Sequence, residues 1–493
     1  VNRTSPLPLR TFTRSLTLTV ALTLGAGSAA LAVDRSAPPV PGAVAPFVLP
    51  TPVEFKLKNG VPVYFLERHR APVVDVVAVV TSGALDEAAG KEGTATALAG
   101  LLTQGAVDAK GAAKDAFAFD DAVRALGADI SGEADWTTMQ LALHTASSRL
   151  DPALALFADA LLRPRLEADD WERKQKEALG ELAYLSDEPR ALVAIAASRA
   201  VFGDTRPGLP LIGTPRSVSA VDVADVRAFH KSAVQAGGLF LVVVGDIDQA
   251  ALAKKLEAQF GALPASTSTP PRALRARGPE PVAIAARRVV LLDRKDAPQT
   301  AVHVVGTPPT DLAPLHAPTA VMQTLLGGSF TSRLNNNLRE VHQYAYGAGY
   351  SISSQPWHKS AVQTSVAAPV SVAAVDEILV ELARIRTPAT TEEVERARAF
   401  EALGFPAVLD GGRALAGTWA YWKSQGLKNE DLMGYMAKVL KVDAAAVAAA
   451  AVAAVDPDRV VIVVVGDRAT ALKDAGKWGP VELVTAEMLL PQP

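Results

Sequence analysis

Seven histidines, His69, His144, His230, His303, His316, His342 and His358, are the chain's candidates for metal or proton chemistry, because it has no cysteine. A zinc ion held from one helix needs two imidazoles about one turn apart, since its bonds to nitrogen are only about 2 Å long. No two of these histidines stand three or four positions apart, so no zinc site is locally encoded. A site assembled from scattered His, Asp and Glu stays open. Read singly, each His is a surface or strand-end residue. The lack of Cys also removes thiolate ligands, disulfides and thiol nucleophiles. There is no phosphate loop ending in Lys-Ser/Thr and no Gly-x-Ser-x-Gly elbow. The glycine-containing "LLGGSFTSRL" (325–334) lacks the strand-then-helix setting of a dinucleotide loop.

The elements that would position any chemistry are more legible. A chain of 493 residues exceeds one ordinary core, and 49% hydrophobic against 20% charged residues is a globular composition. The net charge of −3, with no long run of one sign, speaks against a nucleic-acid partner. Arg3, Arg10 and Arg14 precede an apolar stretch that closes on Ala30-Leu31-Ala32, the layout of a signal peptide over 1–32. We therefore expect an exported, periplasmic protein with no membrane association after cleavage. A Pro-rich tail follows over 33–50.

The rest of the chain is written twice. "VYFLERHRAP" (63–72) returns as "VVLLDRKDAP" (289–298), 226 residues later. "WERKQKEALG" (171–180) returns as "VERARAFEALG" (394–404), and "LFLVVVGDID" (239–248) as "VVIVVVGDRA" (460–469). Matches that keep their order and nearly their spacing indicate a duplication of about 220 residues. A Pro/Ser/Arg-rich linker (264–283) separates a half at 51–263 from a half at 284–493. Asn59-Gly60 predicts a hairpin turn, "VVDVVAVV" and "TTMQLALHTA" predict strands, and "DPALALFADALL" and "DDWERKQKEALGELAYL" predict helices. The order implies two α+β sheets, each covered by helices on one face.

The two related halves, the "APVV" and "VTSGALDE" stretches of the first and the "GGSFTSRL" and "LREVHQYAYG" stretches of the second resemble the insulinase/pitrilysin family. That resemblance implies two tandem homologous α/β-sandwich halves in a clam-shell, the processing-peptidase-like fold. Active members carry His-x-x-Glu-His on the first long helix of the N-terminal half, with two zinc-binding His, a Glu as general base and a downstream Glu as third ligand. The matching segment here is "GTATALAGLLTQGA" (93–106), which puts Thr96 and Gly100 at the ligand positions and Ala99 at the base. Glu181 matches the third-ligand position. None of the first three binds zinc or moves a proton, so the helix reads as tightly packed and the chain as lacking metal of its own.

The resemblance also implies an Arg and, seven residues on, a Tyr that hold the substrate carbonyl and stabilise the oxyanion. Arg339 and Tyr346 stand at that spacing, with Tyr344 as the shifted alternative. Seven residues is two helical turns, so a shared helical face is expected, with Tyr346 at the helix end. Ser131 and Gly132 match positions that line an added substrate strand. Together these imply the non-zinc subunit of a heterodimeric zinc metalloendopeptidase, with a homologous zinc-bearing partner and an unfolded peptide substrate. The alternative is a catalytically inactive structural or peptide-binding homologue.

Overall fold

The computed structural model describes residues 49–265, 279–309, 316–353 and 359–493. The expected signal peptide, most of the Pro-rich tail, most of the linker and His358 lie outside them. Residues 46–493 form one compact unit.

Two six-stranded sheets organise that unit. The first comprises β1 (Val53–Lys56), β2 (Pro62–Glu67), β3 (Val73–Val80), β6 (Asp129–Ala134), β7 (Met139–Ala146) and β8 (Leu239–Gly245), ordered β1-β2-β8-β3-β7-β6. Between β3 and β6 runs a small ribbon of β4 (Ala106–Val107) and β5 (Ala113–Lys114). The second sheet comprises β9 (Arg288–Asp293), β10 (Gln299–Gly306), β11 (Ala345–Ser353), β12 (Lys359–Ala367), β13 (Val461–Gly466) and β14 (Val481–Val484). Its order, β14-β9-β13-β10-β12-β11, is that of the first sheet in all but the origin of one edge strand. In the first half the edge is β1, joined to β2 by a tight turn in which Gly60 takes φ +91. In the second half it is β14, which arrives from the C-terminal end and runs parallel to β9.

The twice-written Gly-Asp strands are β8 and β13, the fully buried inner strands of the two sheets. An unbroken apolar run with no polar alternation fits a strand covered on both faces. Each closing aspartate ties its strand end to neighbouring loops. Asp246 meets His69 Nδ1 at 2.6 Å, while Asp467 accepts the backbone N–H groups of Asp296 (2.8 Å) and Thr470 (2.9 Å).

Covering both faces takes more than the expected single helical layer. One face of each sheet packs on helices of its own half, among them Thr94–Leu101 and Leu150–Leu162 in the first. The other face packs on a helix lent by the opposite half. Helix Gly412–Ser424 sets Leu415, Ala416, Trp419 and Ala420 against Val77, Val79, Phe240 and Val242. Reciprocally, helix Pro189–Phe202 sets Leu192, Val193, Ala196 and Ala197 against Val290, Ala301, Val463 and Val465. Both helices carry apolar pairs four residues apart, the stripe of a helix with one buried face.

Burial also corrects the reading of one histidine. His303 sits in the middle of β10 rather than at a strand end, and is half-buried.

Two predictions follow from this packing. Trp419 is fully buried at the centre of the lent helix and stands edge-on to Trp422 at 5.4 Å. Trp419→Ala should cost about 3–5 kcal/mol, measured by urea denaturation of the whole chain. Glu393, near the start of helix Thr391–Gly404, receives Arg333 Nε and Nη2 at 2.8 and 2.9 Å and the Thr390 N–H at 2.9 Å. Chiefly through the Arg333 hydrogen bonds, its carboxyl is held at about 2 against an ordinary 4.5. The folded form thus prefers the ionised carboxylate. The resulting stabilisation is complete above pH 4.5 and is lost as pH falls towards about 2. Glu393→Gln should be less stable than wild type at pH 6, with the gap narrowing below pH 4.5 and closing only near pH 2; a gap independent of pH would refute this.

Candidate functional site

The helix at the family's zinc position, Thr94–Leu101, is short and built from small residues. Its start is anchored by a buried ion pair that the sequence reading passed over. Glu87, 1% exposed, accepts the N–H groups of Gly93 (3.1 Å) and Ala95 (2.8 Å) and receives Arg206 Nε at 2.6 Å. Arg206 also donates to the carbonyls of Pro210 and Leu211 at 2.8 Å each and lies 5.2 Å above the Trp136 ring. Burial pushes the Glu87 carboxyl up, opposed by the Arg206 charge and the helix amides. A carboxylate at a helix N-terminus is stabilised by the exposed N–H groups and the helix dipole. On the other side of the helix, a Cβ on Gly132 would collide with the Ala99 carbonyl oxygen, so only glycine lets β6 approach this closely.

The helix is not tightly packed where the motif would lie. Thr96, Ala99 and Gly100 open onto a cleft of about 350 Å³ together with Gly132, Glu177 and Glu181. This corrects the packed-helix expectation: the space remains although the ligand side chains do not. Thr96 Oγ1 is spent on the Leu211 carbonyl at 3.2 Å, and Ala99 and Gly100 have no donor atoms in their side chains. Glu181 alone does not hold zinc, so the residues do not fit the metal. Among the described residues no group of three or more His, Cys, Asp or Glu is arranged to hold one. The Lys174 side chain lies over Gly100, and its Nζ pairs with Glu177 at 2.6 Å. Ser131 is exposed on β6 and does not line the cleft. Beyond β6 no further strand is paired among the described residues, so the sheet ends there.

In the second half, Arg339 and Tyr346 are brought together, though not on one helix. Arg339 lies in the π-helical turn Asn336–Val341. The chain then reverses at Gln343, which takes φ +57, and Tyr346 is the second residue of β11. Asn335 holds the reversal in place: its amide donates to the Ala348 carbonyl and accepts the Ala348 N–H, both at 2.9 Å. The Arg339 guanidinium lies 4.0 Å above the Phe330 ring and 5.5 Å from the Tyr346 ring. Its Nε is 3.5 Å from Glu340, while Nη1 is buried without a hydrogen-bond partner among the described residues. Tyr346 is 90% exposed. A cation close to two aromatic rings, with a donor unused among the described residues and an exposed tyrosine nearby, can receive a developing negative oxygen. Tyr344 stacks instead on His342 at 5.0 Å. Neither Arg339 nor Tyr346 lines the Thr96–Gly100 cleft. Phe330, which sequence reasoning did not single out, is marked only by being a large exposed aromatic in a Gly-Ser-rich loop.

Comparison with known proteins agrees with this architecture. Residues 63–215 match a family model described as "Insulinase (Peptidase family M16)", and residues 220–400 one described as "Peptidase M16 inactive domain". An uncharacterised zinc protease of Mycobacterium leprae is 32% identical over 206 residues, 41% of this chain and 45% of that protein. The chain thus spans under half the length of that relative. One from Rickettsia bellii is 25% identical over 354 residues, 70% of this chain and 80% of that protein. Among solved structures, a peptidase M16 inactive domain from Pseudomonas fluorescens superposes with TM-score 0.77 at 21% identity, over 84% of this chain and 98% of that one. A Helicobacter pylori protease superposes with TM-score 0.75 at 18% identity, over 85% and 100%.

Because the cleft persists and Glu181 lines it, replacing the lost side chains should rebuild a metal site. The triple variant Thr96→His, Ala99→Glu, Gly100→His is expected to retain about one zinc per chain after dialysis. A folded triple variant that takes up no zinc would show that these positions do not converge.

Proposed function

This chain belongs to the insulinase (M16) peptidase family, and from that premise we propose that it is the non-zinc subunit of a two-chain zinc metalloendopeptidase. Its own zinc positions are Thr96 and Gly100, and its base position is Ala99. Metal and general base would come from a homologous partner carrying His-x-x-Glu-His, whose zinc supplies an activated water. This chain contributes Arg339 and Tyr346, which bind the scissile carbonyl of an unfolded peptide and stabilise its oxyanion. We take the setting to be periplasmic from the pattern over residues 1–32.

The single observation that carries the reading is the Arg339 guanidinium 5.5 Å from the ring of the exposed Tyr346, with its Nη1 unsatisfied among the described residues. A buried guanidinium nitrogen without an acceptor is costly to keep, and a transient anion would satisfy it. The site's separation from the Thr96–Gly100 cleft supports action on another subunit's centre.

A second reading has its own support. The outermost strand β6 and the retained cleft suit an extended peptide added at the sheet edge, with no chemistry at all. Mixing separates the two. With a zinc-bearing homologue present, Arg339→Ala should lower kcat for peptide hydrolysis about 10²–10³-fold with little change in KM, and Tyr346→Phe should lower it less. Hydrolysis by this chain alone, or full activity of the Arg339→Ala mixture, would sink the assignment; peptide binding without turnover would favour the second reading.

A further inference from the structure

The two lent helices begin at equivalent places on the two sheets, and there the copies diverge. Helix Gly412–Ser424 starts against a buried carboxylate: Asp75 is 2% exposed, and its Oδ2 lies where a Cβ on Gly412 would fall. Asp75 Oδ1 is 2.7 Å from Nδ1 of His144, its cross-strand neighbour on β7. The next helical residue, Arg413, forms an ion pair with Asp129 at the start of β6.

On the second sheet, helix Pro189–Phe202 brings Arg190 to the place of Arg413. The cross-strand pair that answers Asp75 and His144 is Ala301 and Ser365, and the position on β11 that answers Asp129, opposite Ser365, falls in the bulge at Tyr346 and Gly347. Both carboxylates are gone while the cation is kept. Beside the Ala301–Ser365 pair, at the next cross-strand pair His303–Gln363, is a cavity of about 440 Å³, lined among others by Arg190, His303, Tyr346, Gln363 and Ser365.

No acidic side chain lines this cavity among the described residues. Arg190 donates from Nε to Ser365 Oγ at 3.1 Å and has no ion-pair partner among the described residues. Glu188 caps the helix through the Arg190 N–H at 3.4 Å but is not part of the lining. His303 has no hydrogen-bond partner among the described residues, and Lys359, which donates to Ser198 Oγ at 2.9 Å, adds positive charge nearby. Burial, reinforced by that charge, holds the His303 imidazole down at about 4, so at neutral pH it is uncharged and offers one N–H.

We propose that this cavity binds a carboxylate of the peptide, either an Asp or Glu side chain or the C-terminal carboxylate, beside the position that Asp75 fills within the other half and against the same helix-start arginine. Arg190 supplies the charge, and His303 and Gln363 can supply neutral donors. Tyr346 at the rim joins the cavity to the Arg339 site, so the carboxylate enters beside the bond being handled. The source of the carboxylate rests on the peptide reading above; the unmatched positive charge of the cavity does not.

The test uses the whole chain without a partner. Fluorescein-labelled eight-residue peptides of Ala, Gly and Ser carry one Glu or one Gln, each with a free or an amidated C-terminus, and binding is read by anisotropy. A peptide with a carboxylate should bind about tenfold more tightly than the amidated Gln peptide, and the arm showing the difference identifies the source. Arg190→Gln and, separately, Ala301→Asp, which installs the missing carboxylate, should abolish the preference while neutral-peptide binding and melting temperature are retained. Equal affinity for charged and neutral peptides, or a preference that survives both variants, overturns the proposal. N-acetylglutamate is titrated in parallel and should raise the melting temperature of wild type but not of Ala301→Asp. That shift in a chain that binds no peptide would uphold the cavity and count against the peptide reading; its absence in wild type would count against the cavity itself.

Discussion

Two apolar strands that need cover on both faces dictate this molecule. β8 and β13 are buried along their whole length, and each half has helices of its own for only one side of its sheet. Exchange of helices Pro189–Phe202 and Gly412–Ser424 removes the other side from water, and burial of apolar area is the dominant favourable term in folding. The exchange also sets the functional geography. It seats Arg190 over the second sheet near Tyr346, and it runs the first-half chain through the joint on its way to the Arg206 anchor.

Within that shared scaffold the copies have specialised in opposite directions. The first half keeps a cleft whose wall has lost every side chain able to hold zinc, but it retains the Glu87–Arg206 anchor that fixes the wall. The second half presents its site from irregular backbone. There a π-helical turn and a reversal at Gln343 present a guanidinium close to two rings. An irregular backbone at a site that presents side chains, above a regular sheet that holds it still, is a common division of labour.

Much of the scaffold was legible in the sequence, because burial writes itself locally. The β-branched runs of β3, β8 and β13, the Asn59-Gly60 turn and the long charged helix were all readable from pattern and spacing. The exchange of helices was not. An apolar pair every four residues says that one face of a helix is buried, and says nothing about which sheet buries it. The position of Tyr346 was misread for a related reason: Gln is not a turn-forming residue, so nothing announced the positive φ at Gln343 that ends the helix early. Small residues at Thr96, Ala99 and Gly100 were equally compatible with close packing and with a void, and only the position of the neighbouring helix decided for the void. Glu87 and Arg206 are 119 residues apart, and long-range ion pairs leave no periodic trace.

The reciprocal loan of helices bears on how such a molecule could have arisen. A solitary ancestral half, folded by itself, would have left Phe240 and Val242, or their counterparts Val461 and Val463, bare to solvent. Two copies meeting face to face would have solved this by domain swapping, each completing the other, and tandem fusion of the genes then made the handshake intramolecular. Fusion released the pair from symmetry, so one copy could shed its acids at the joint without forcing the loss on the other. The asymmetry between Asp75 and Ala301 is a freedom that a strict homodimer never has.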